Sequence, residues 1–141
     1  MRAYILGGLM VVGLLVAAGT VRAHHSFAAE FDANKPITLK GIVTKIEWTN
    51  PHVWFYVNVK DEKTGEVTNW GAEMGPPHGL QRRGWRRDTL KIGEEVTVAG
   101  SLAKNGSKRM NARQVTLTST GGRPGETLDA VSSGGNNSAD N

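Results

Sequence analysis

The chain has 141 residues, no cysteine, and 17 basic against 13 acidic side chains. The lack of cysteine excludes disulfides, thiolate metal sites and covalently attached haem. The length suits one domain with a modest core, so packing alone must stabilise the fold.

The first 23 residues have the pattern of a secretory signal peptide. Met1-Arg2 supplies a short positive start, the run from Tyr4 to Ala18 is apolar and uncharged, and Ala23 ends a short polar break. The apolar run is short for a membrane span, although an uncleaved N-terminal anchor is the alternative. We therefore predict cleavage after Ala23, export to a bacterial periplasm, and no transmembrane segment in the mature protein.

Cleavage would also change the charge balance. Arg2 and Arg22 would leave with the signal, so 15 of the 17 basic side chains would face 13 acidic ones. A small excess in an exported protein argues against nucleic acid as a partner.

The mature chain would open with an N-terminal arm, residues 24–36, with the sequence HHSFAAEFDANKP. Phe27 and Phe31 are four residues apart, and we expect them to lay the arm against the body of the domain. The first strand follows from Ile37. Gly41 interrupts it and predicts a bulge or sharp bend of the kind that small barrels need.

The clearest strand pattern runs from Gly41 to Lys60, GIVTKIEWTNPHVWFYVNVK. Pro51 has no backbone donor, so Thr49-Asn50-Pro51 indicates a turn between two strands. The two-residue period of the second strand separates an apolar face from a mixed one. The apolar face carries Val53, Phe55, Val57 and Val59, and the other face carries Trp54, Tyr56 and Asn58.

Beyond Lys60, a polar turn leads into a third strand that contains Trp70. Pro77 then opens a short helix that stops at Gly84. A fourth and a fifth strand follow, and the fifth ends at Thr118.

Three strands, a helix and two strands are the order of the OB-fold. We therefore predict an all-β domain over residues 37–118, a small five-stranded OB-like Greek-key barrel with the helix between strands three and four. An open β-sandwich is the alternative. Residues 119–141 are rich in Gly, Ser and Asn, which predicts a disordered tail.

Three stretches carry a family resemblance: AHHSFAAEFD, LKGIVTKIEWTNPHVWFYV, and the pattern NW…EMGPPHGLQRRGW. Together they resemble a family of small exported proteobacterial proteins known only as a domain of unknown function. The resemblance covers residues 23–118 and implies an exported, single-domain protein. It implies no activity, cofactor or catalytic residue.

The four histidines carry the most informative chemistry. After cleavage, His24 would be the N-terminal residue, and its amine and imidazole would form a chelate suited to Cu(II). His25 follows it directly. His52, at the corner of the hairpin, is the best candidate for a third nitrogen, and His78 is the next. The alternative is that all four are ordinary terminal, turn and surface residues.

A basic segment after the third strand is the second candidate site. Four guanidiniums around one tryptophan could bind a phosphate, an acidic polysaccharide or anionic lipid headgroups. The alternative is a solvated helix face with the indole packed beneath the barrel. The residues are Arg82, Arg83, Trp85, Arg86 and Arg87.

An aromatic strand face is the third candidate. Trp54 and Tyr56, together with Trp70 on a neighbouring strand, could form a platform of the kind that OB-folds use for oligonucleotides and oligosaccharides. The N-terminal arm could equally cover these rings.

No catalytic motif stands out, because the serines lie in no nucleophile pattern and no carboxylates form an evident acid/base pair. We predict a periplasmic binding protein of unknown ligand, not an enzyme, with copper bound through His24, His25 and His52 as the leading hypothesis. The rival hypothesis is an interaction module that binds an anionic envelope component or glycan through the arginine segment and the aromatic face.

Overall fold

The computed structural model of the protein describes residues 27–118 and 125–130. The predicted signal peptide and the residues His24 and His25 lie outside the described part. So do residues 131–141 of the predicted tail.

The described part contains two short helices and six strands. The helices are α1 (Phe27–Glu30) and α2 (Pro77–Arg82). The strands are β1 (Phe31–Glu47), β2 (Trp54–Lys60), β3 (Val67–Glu73), β4 (Glu95–Ala103), β5 (Arg109–Leu117) and β6 (Thr127–Asp129).

The strands form one sheet in the order β3-β2-β1-β4-β5-β6, and the sheet closes on itself because β3 also pairs with β5. The closing pair is parallel, between residues 71–73 and 109–111, whereas the other pairs are antiparallel. The long β1 pairs with β4 through residues 31–42 and with β2 through residues 42–47. The all-β prediction is therefore confirmed, and the strands form an OB-like ring.

Gly41 lets β1 serve both of its partners. A Cβ atom at this position would lie 2.5 Å from the carbonyl oxygen of Asn58, which is closer than real contacts allow. The register of β1 against β2 then shifts between Val43 and Lys45, which indicates a bulge just after Gly41. This irregularity lies where the strand passes from one partner to the other.

The core occupies the inside of the ring. Phe55 and Val57 of β2 are fully buried, as the predicted apolar face of that strand requires, and Val115 and Leu117 of β5 are fully buried as well. Each such side chain contributes about 1.5–3 kcal/mol by leaving water. The other fully buried large side chains are Val43, Val53, Met74, Leu80, Trp85, Val96, Val98 and Met110.

Helix α2 forms as the sequence predicts. Pro77 occupies its first turn, Leu80 is its buried residue, and Gly84 follows it with a φ angle of 91°. That left-handed conformation is one that glycine adopts without strain, which explains why the helix stops there. The helix therefore leads directly into the arginine-rich stretch.

Two predicted boundaries are wrong. Strand β1 begins at Phe31, so residues 31–36 of the predicted arm belong to the sheet. Residues 127–129 of the predicted disordered tail form β6, which pairs with residues 114–116 of β5. Composition misled here because a three-residue strand needs little apolar surface: backbone bonds and the fully buried Ala130 hold it.

Candidate functional site

His52 lies in the turn between β1 and β2, and ordered backbone on its C-terminal side fixes its place. The N–H of Val53 donates to the carbonyl of Gly75 at 3.1 Å, and the N–H of Met74 donates to the carbonyl of Val53 at 2.8 Å. Val53 is itself fully buried. The turn is therefore held against the chain that leaves β3.

The imidazole of His52 is hydrogen-bonded to Glu73, the last residue of β3. The bond joins Nδ1 of His52 and Oε1 of Glu73. The side chain of Glu73 is 8% exposed and that of His52 is 31% exposed. An ionised carboxylate only accepts hydrogen bonds, so with Glu73 ionised Nδ1–H is the donor, and the ring can then present Nε2 to a ligand. The pair thus offers one nitrogen ligand on a partly exposed ring.

Among the described residues, Glu73 is the buried acid. Its pKa depends on its burial and on charged side chains of several elements. Burial raises the pKa of its carboxyl above the ordinary value of 4.5, and this is the largest effect. The hydrogen bond and charge of His52 oppose it. The charge of Glu30 in α1 raises the pKa of Glu73 further, and the charge of Arg109 in β5 lowers it.

The aromatic face beside this pair is engaged in internal contacts. The guanidinium of Arg109 lies 4.4 Å from the centre of the Trp54 ring. The hydroxyl of Tyr56 donates to Glu47 at 3.1 Å, and Lys45 pairs with Glu47 at 2.5 Å. Burial first, and then the bond to Glu47, raise the pKa of Tyr56 above its ordinary value. The polar groups of this face therefore bind one another.

Gly71 of β3 provides the space that these two rings occupy. A Cβ atom there would stand 3.3 Å from Cε1 of Tyr56 and 3.5 Å from Cζ3 of Trp54. Gly71 is the register partner of Tyr56, and Trp54 is the partner of Glu73. The aromatic face and the His52–Glu73 pair are thus parts of one surface, the outer side of β2 and β3.

Trp70 does not belong to that surface, so its predicted place on the platform is wrong. Directly paired residues of antiparallel strands point to the same side of a sheet. Trp70 pairs with the fully buried Val57, and its ring packs against the core. The ammonium of Lys108 lies 5.2 Å from its ring centre. The register of β3 against β2, which alternation alone leaves open, decides this.

Trp85 is buried, so its predicted place on a binding surface is wrong, and the alternative of an indole packed beneath the barrel is correct. Its side chain is a core residue with 1% exposure. Its indole N–H donates to the carbonyl of Asp129 in β6 at 2.8 Å. The four arginines around it are exposed, so the stretch separates into a buried anchor and a charged surface. These arginines are Arg82, Arg83, Arg86 and Arg87.

Of the two predicted metal ligands within the described residues, His52 and His78, His52 is the one with a titratable partner. His78 is an exposed residue of α2. Within residues 27–118 and 125–130, no three His, Cys, Asp or Glu side chains form a group that could hold a metal ion. His24 and His25 lie outside these residues, so the described part offers a ligand nitrogen but not a complete site.

Residues 11–112 match the model of a family of unknown function, DUF6152. This match spans more than half of the chain. The chain belongs to DUF6152. The predicted resemblance to a domain of unknown function is therefore confirmed, while the proteobacterial and exported character stay predictions. No curated protein matches the sequence.

The DUF6152 match includes His52, Glu73 and the four arginines, and it stops before β6. Within the described ranges, none of the helices has the length and apolar character that crossing a membrane requires.

Sequence reasoning missed Glu73 and Arg109 as site residues. Glu73 lies 21 positions from His52, and no local spacing connects the two. One signal was present: Glu73 is an acid between Ala72 and Met74 at the end of an apolar strand, where an acid needs a partner. Arg109 had no such signal, because the parallel pairing of β3 with β5 brings it there.

Proposed function

We propose that this protein is an exported, periplasmic binding protein that holds Cu(II) at His52 together with the mature N-terminal residue, His24. The observation that supports this most is the hydrogen bond from His52 Nδ1 to Glu73. Histidines that bind metals through one ring nitrogen usually donate the other N–H to a carboxylate, which fixes the tautomer and the ring orientation. Glu73 gives His52 that arrangement before any ligand is present.

The remaining two nitrogen ligands would come from His24, which lies shortly before α1 in the sequence. The N–H of Lys104, just after β4, donates to the carbonyl of Glu30 in α1 at 2.9 Å, and the charge of Glu30 raises the pKa of Glu73. His24 precedes the first residue of α1, Phe27, by three positions. Three extended residues span up to roughly 10 Å, so the proposal requires His52 to lie within about that distance of Phe27.

Three nitrogens suit the metal that we propose. A terminal His24 would contribute its amine and an imidazole nitrogen, and Nε2 of His52 would contribute the third. Cu(II) favours nitrogen ligands in a square-planar arrangement, and it binds such sets more tightly than other divalent first-row metals do. His25 is the alternative imidazole donor from the same end of the chain.

The rival function, recognition of a glycan or anionic ligand on the aromatic face, has less support. The cation nearest Trp54 already lies over its ring, and the hydroxyl of Tyr56 is bonded to Glu47. A ligand that stacked on Trp54 would have to displace Arg109. The His52 ring needs no such displacement, because it keeps a free nitrogen and is partly exposed.

The test begins with the intact mass of the exported protein and continues with Cu(II) titration of that sample against a competing chelator. We expect a chain that starts at His24 and binds one copper ion. His52→Ala should weaken binding strongly, and Glu73→Gln should weaken it by roughly 10–100-fold through loss of the orienting carboxylate. His78→Ala, at an exposed histidine of α2, is the matched control and should bind like the wild type.

Two results would contradict the proposal. One is a mature chain that starts at another residue. The other is copper affinity that is the same in the wild type, His52→Ala and a variant with one residue added before His24.

A further inference from the structure

The stretch of residues 82–92, which we name the arginine loop, carries an uncompensated positive charge. It contains four arginines and Lys91, against a single acid, Asp88. All six of these side chains are exposed. The loop lies apart in the sequence from His52 and Glu73, and its charges do not depend on the proposed copper site.

The backbone of the arginine loop is firmly anchored. Trp85 is buried and its indole N–H donates to the carbonyl of Asp129. The N–H of Arg86 donates to Oγ1 of Thr89 at 2.7 Å, and the N–H of Thr89 donates to the carbonyl of Arg86 at 3.1 Å. Leu90 is also buried. The charges therefore stand on ordered backbone, which reduces the entropy lost when they bind a partner.

Several cations outside the loop have internal partners, and the arginines of the loop differ from these. Lys40 pairs with Glu95 at 3.0 Å and Lys45 pairs with Glu47 at 2.5 Å. Arg109 lies over the ring of Trp54. Among residues 27–118 and 125–130, the ion pairs include none of the four loop arginines. Their guanidiniums are available to an external anion.

The C-terminal end of the loop adds an exposed apolar side chain. Ile92 is 70% exposed, more than Val67 at 55% or Ile42 at 41%. The turn that carries it is fixed, because the N–H of Gly93 donates to the carbonyl of Val43 at 2.8 Å. Basic residues combined with an exposed aliphatic side chain are typical of segments that bind at a membrane surface.

We propose that the arginine loop docks this protein onto a membrane surface rich in anionic phospholipids. The guanidiniums of the loop bind lipid phosphates, which they match with two parallel hydrogen bonds each. Ile92 enters the boundary between headgroups and acyl chains. The docking is peripheral and reversible, because one aliphatic side chain and a few charges give far weaker attachment than a spanning helix.

Co-sedimentation of the mature protein with vesicles tests this. We expect binding to vesicles of phosphatidylcholine and phosphatidylglycerol in equal parts at low salt, and little binding to phosphatidylcholine alone. Each basic residue near such a surface contributes roughly a fivefold gain in partitioning. Replacing four should therefore lower partitioning roughly 600-fold. The test variant carries Arg82→Gln, Arg83→Gln, Arg86→Gln and Arg87→Gln.

A second quadruple variant removes the same amount of charge from exposed lysines elsewhere and should lose only a few-fold in partitioning. Thermal melts of both variants establish that the fold is intact. The single change Ile92→Gln should weaken vesicle binding several-fold, and Ile42→Gln should leave it unchanged. The control lysine changes are Lys35→Gln, Lys40→Gln, Lys60→Gln and Lys63→Gln.

Several results would overturn the proposal. Equal losses in the two quadruple variants would mean that net charge alone drives binding. Unchanged binding in the arginine variant, or no binding by the wild type, would remove the loop as a docking surface. Inorganic phosphate that releases the protein more strongly than chloride at equal ionic strength would make the loop a site for free phosphate.

Discussion

The His52–Glu73 pair contains a buried acid that is bonded to a neighbouring ring, whereas the arginine loop carries exposed basic side chains. Glu73 is buried, its carboxyl is bonded to His52, and charges from two other elements act on it. The arginines of the loop are exposed, and no ion pair of the described residues includes them. The bond to the buried Glu73 fixes the orientation of the His52 ring. The exposed guanidiniums on the anchored backbone of the loop face solvent instead.

For the two proposed sites, this difference would lead to two kinds of recognition. A ring held by a buried acceptor is suited to a directional ligand such as a metal ion. A set of free guanidiniums is suited to an anionic surface, and its attraction should fall as salt is added. The two sites should therefore respond to different variants and different solution conditions.

Loss of the loop's anchor should have the largest effect on stability. Trp85→Ala removes a core ring and leaves the carbonyl of Asp129 without its indole donor. We expect a loss of about 3–5 kcal/mol in the free energy of unfolding, measured by urea denaturation. Trp54→Ala, at a partly exposed ring of the outer face, is the control and should cost clearly less. Equal losses would show that the loop is not anchored through the core.

The pH dependence of stability should report on Glu73. Its pKa is raised in the folded state, so folding favours the protonated carboxyl. The stability that this provides is fully present below pH 4.5 and is lost as pH rises through the folded pKa. His52 and Arg109 oppose the shift, and Glu30 adds to it. Glu73→Gln removes the titration.

We therefore expect the wild type to lose stability relative to Glu73→Gln as pH rises from 4.5. Urea unfolding of both proteins across the acidic and neutral range measures this difference. Parallel stability curves would mean that burial does not control the charge of Glu73.

A smaller change in unfolding free energy should distinguish Arg109, which lies over the Trp54 ring, from an exposed arginine of the loop. Arg109→Ala removes a guanidinium from the face of the Trp54 ring, and we expect a loss of about 0.5–1 kcal/mol in unfolding free energy. Arg82→Ala, in the loop, should change that free energy by less than about 0.5 kcal/mol. Thermal or urea unfolding checks both. A larger loss for Arg82→Ala would show an intramolecular role for a loop arginine.

The sequence predicts the strands and α2 well, because their signals are local. Alternation in β2 identifies Phe55 and Val57 as inward, and Pro77 and Gly84 mark the start and stop of α2. Gly41 marks the point in β1 where a Cβ atom would collide with the carbonyl oxygen of Asn58. The all-β class follows from these signals together.

The parts that sequence reasoning missed depend on pairings between distant residues. The register of β3 against β2 places Trp70 with the core and Glu73 on the outer face, and both outcomes are compatible with the same alternation. Strand β6 is too short to give a pattern. His52 was predicted as a site residue from its corner position, but its partner Glu73 could be found only once β2 and β3 were paired.

Strand β6 and the residue after it also set the minimum length of a stable domain. The carbonyl of Ala130 accepts from the N–H of Gly75 at 3.0 Å, and its own N–H donates to the carbonyl of Arg113 at 2.8 Å. A chain truncated at Thr118 would lose both bonds and the acceptor for Trp85, and each buried group left unpaired costs about 1–3 kcal/mol. The folding unit of this protein therefore extends to Ala130, beyond the end of the family match at residue 112.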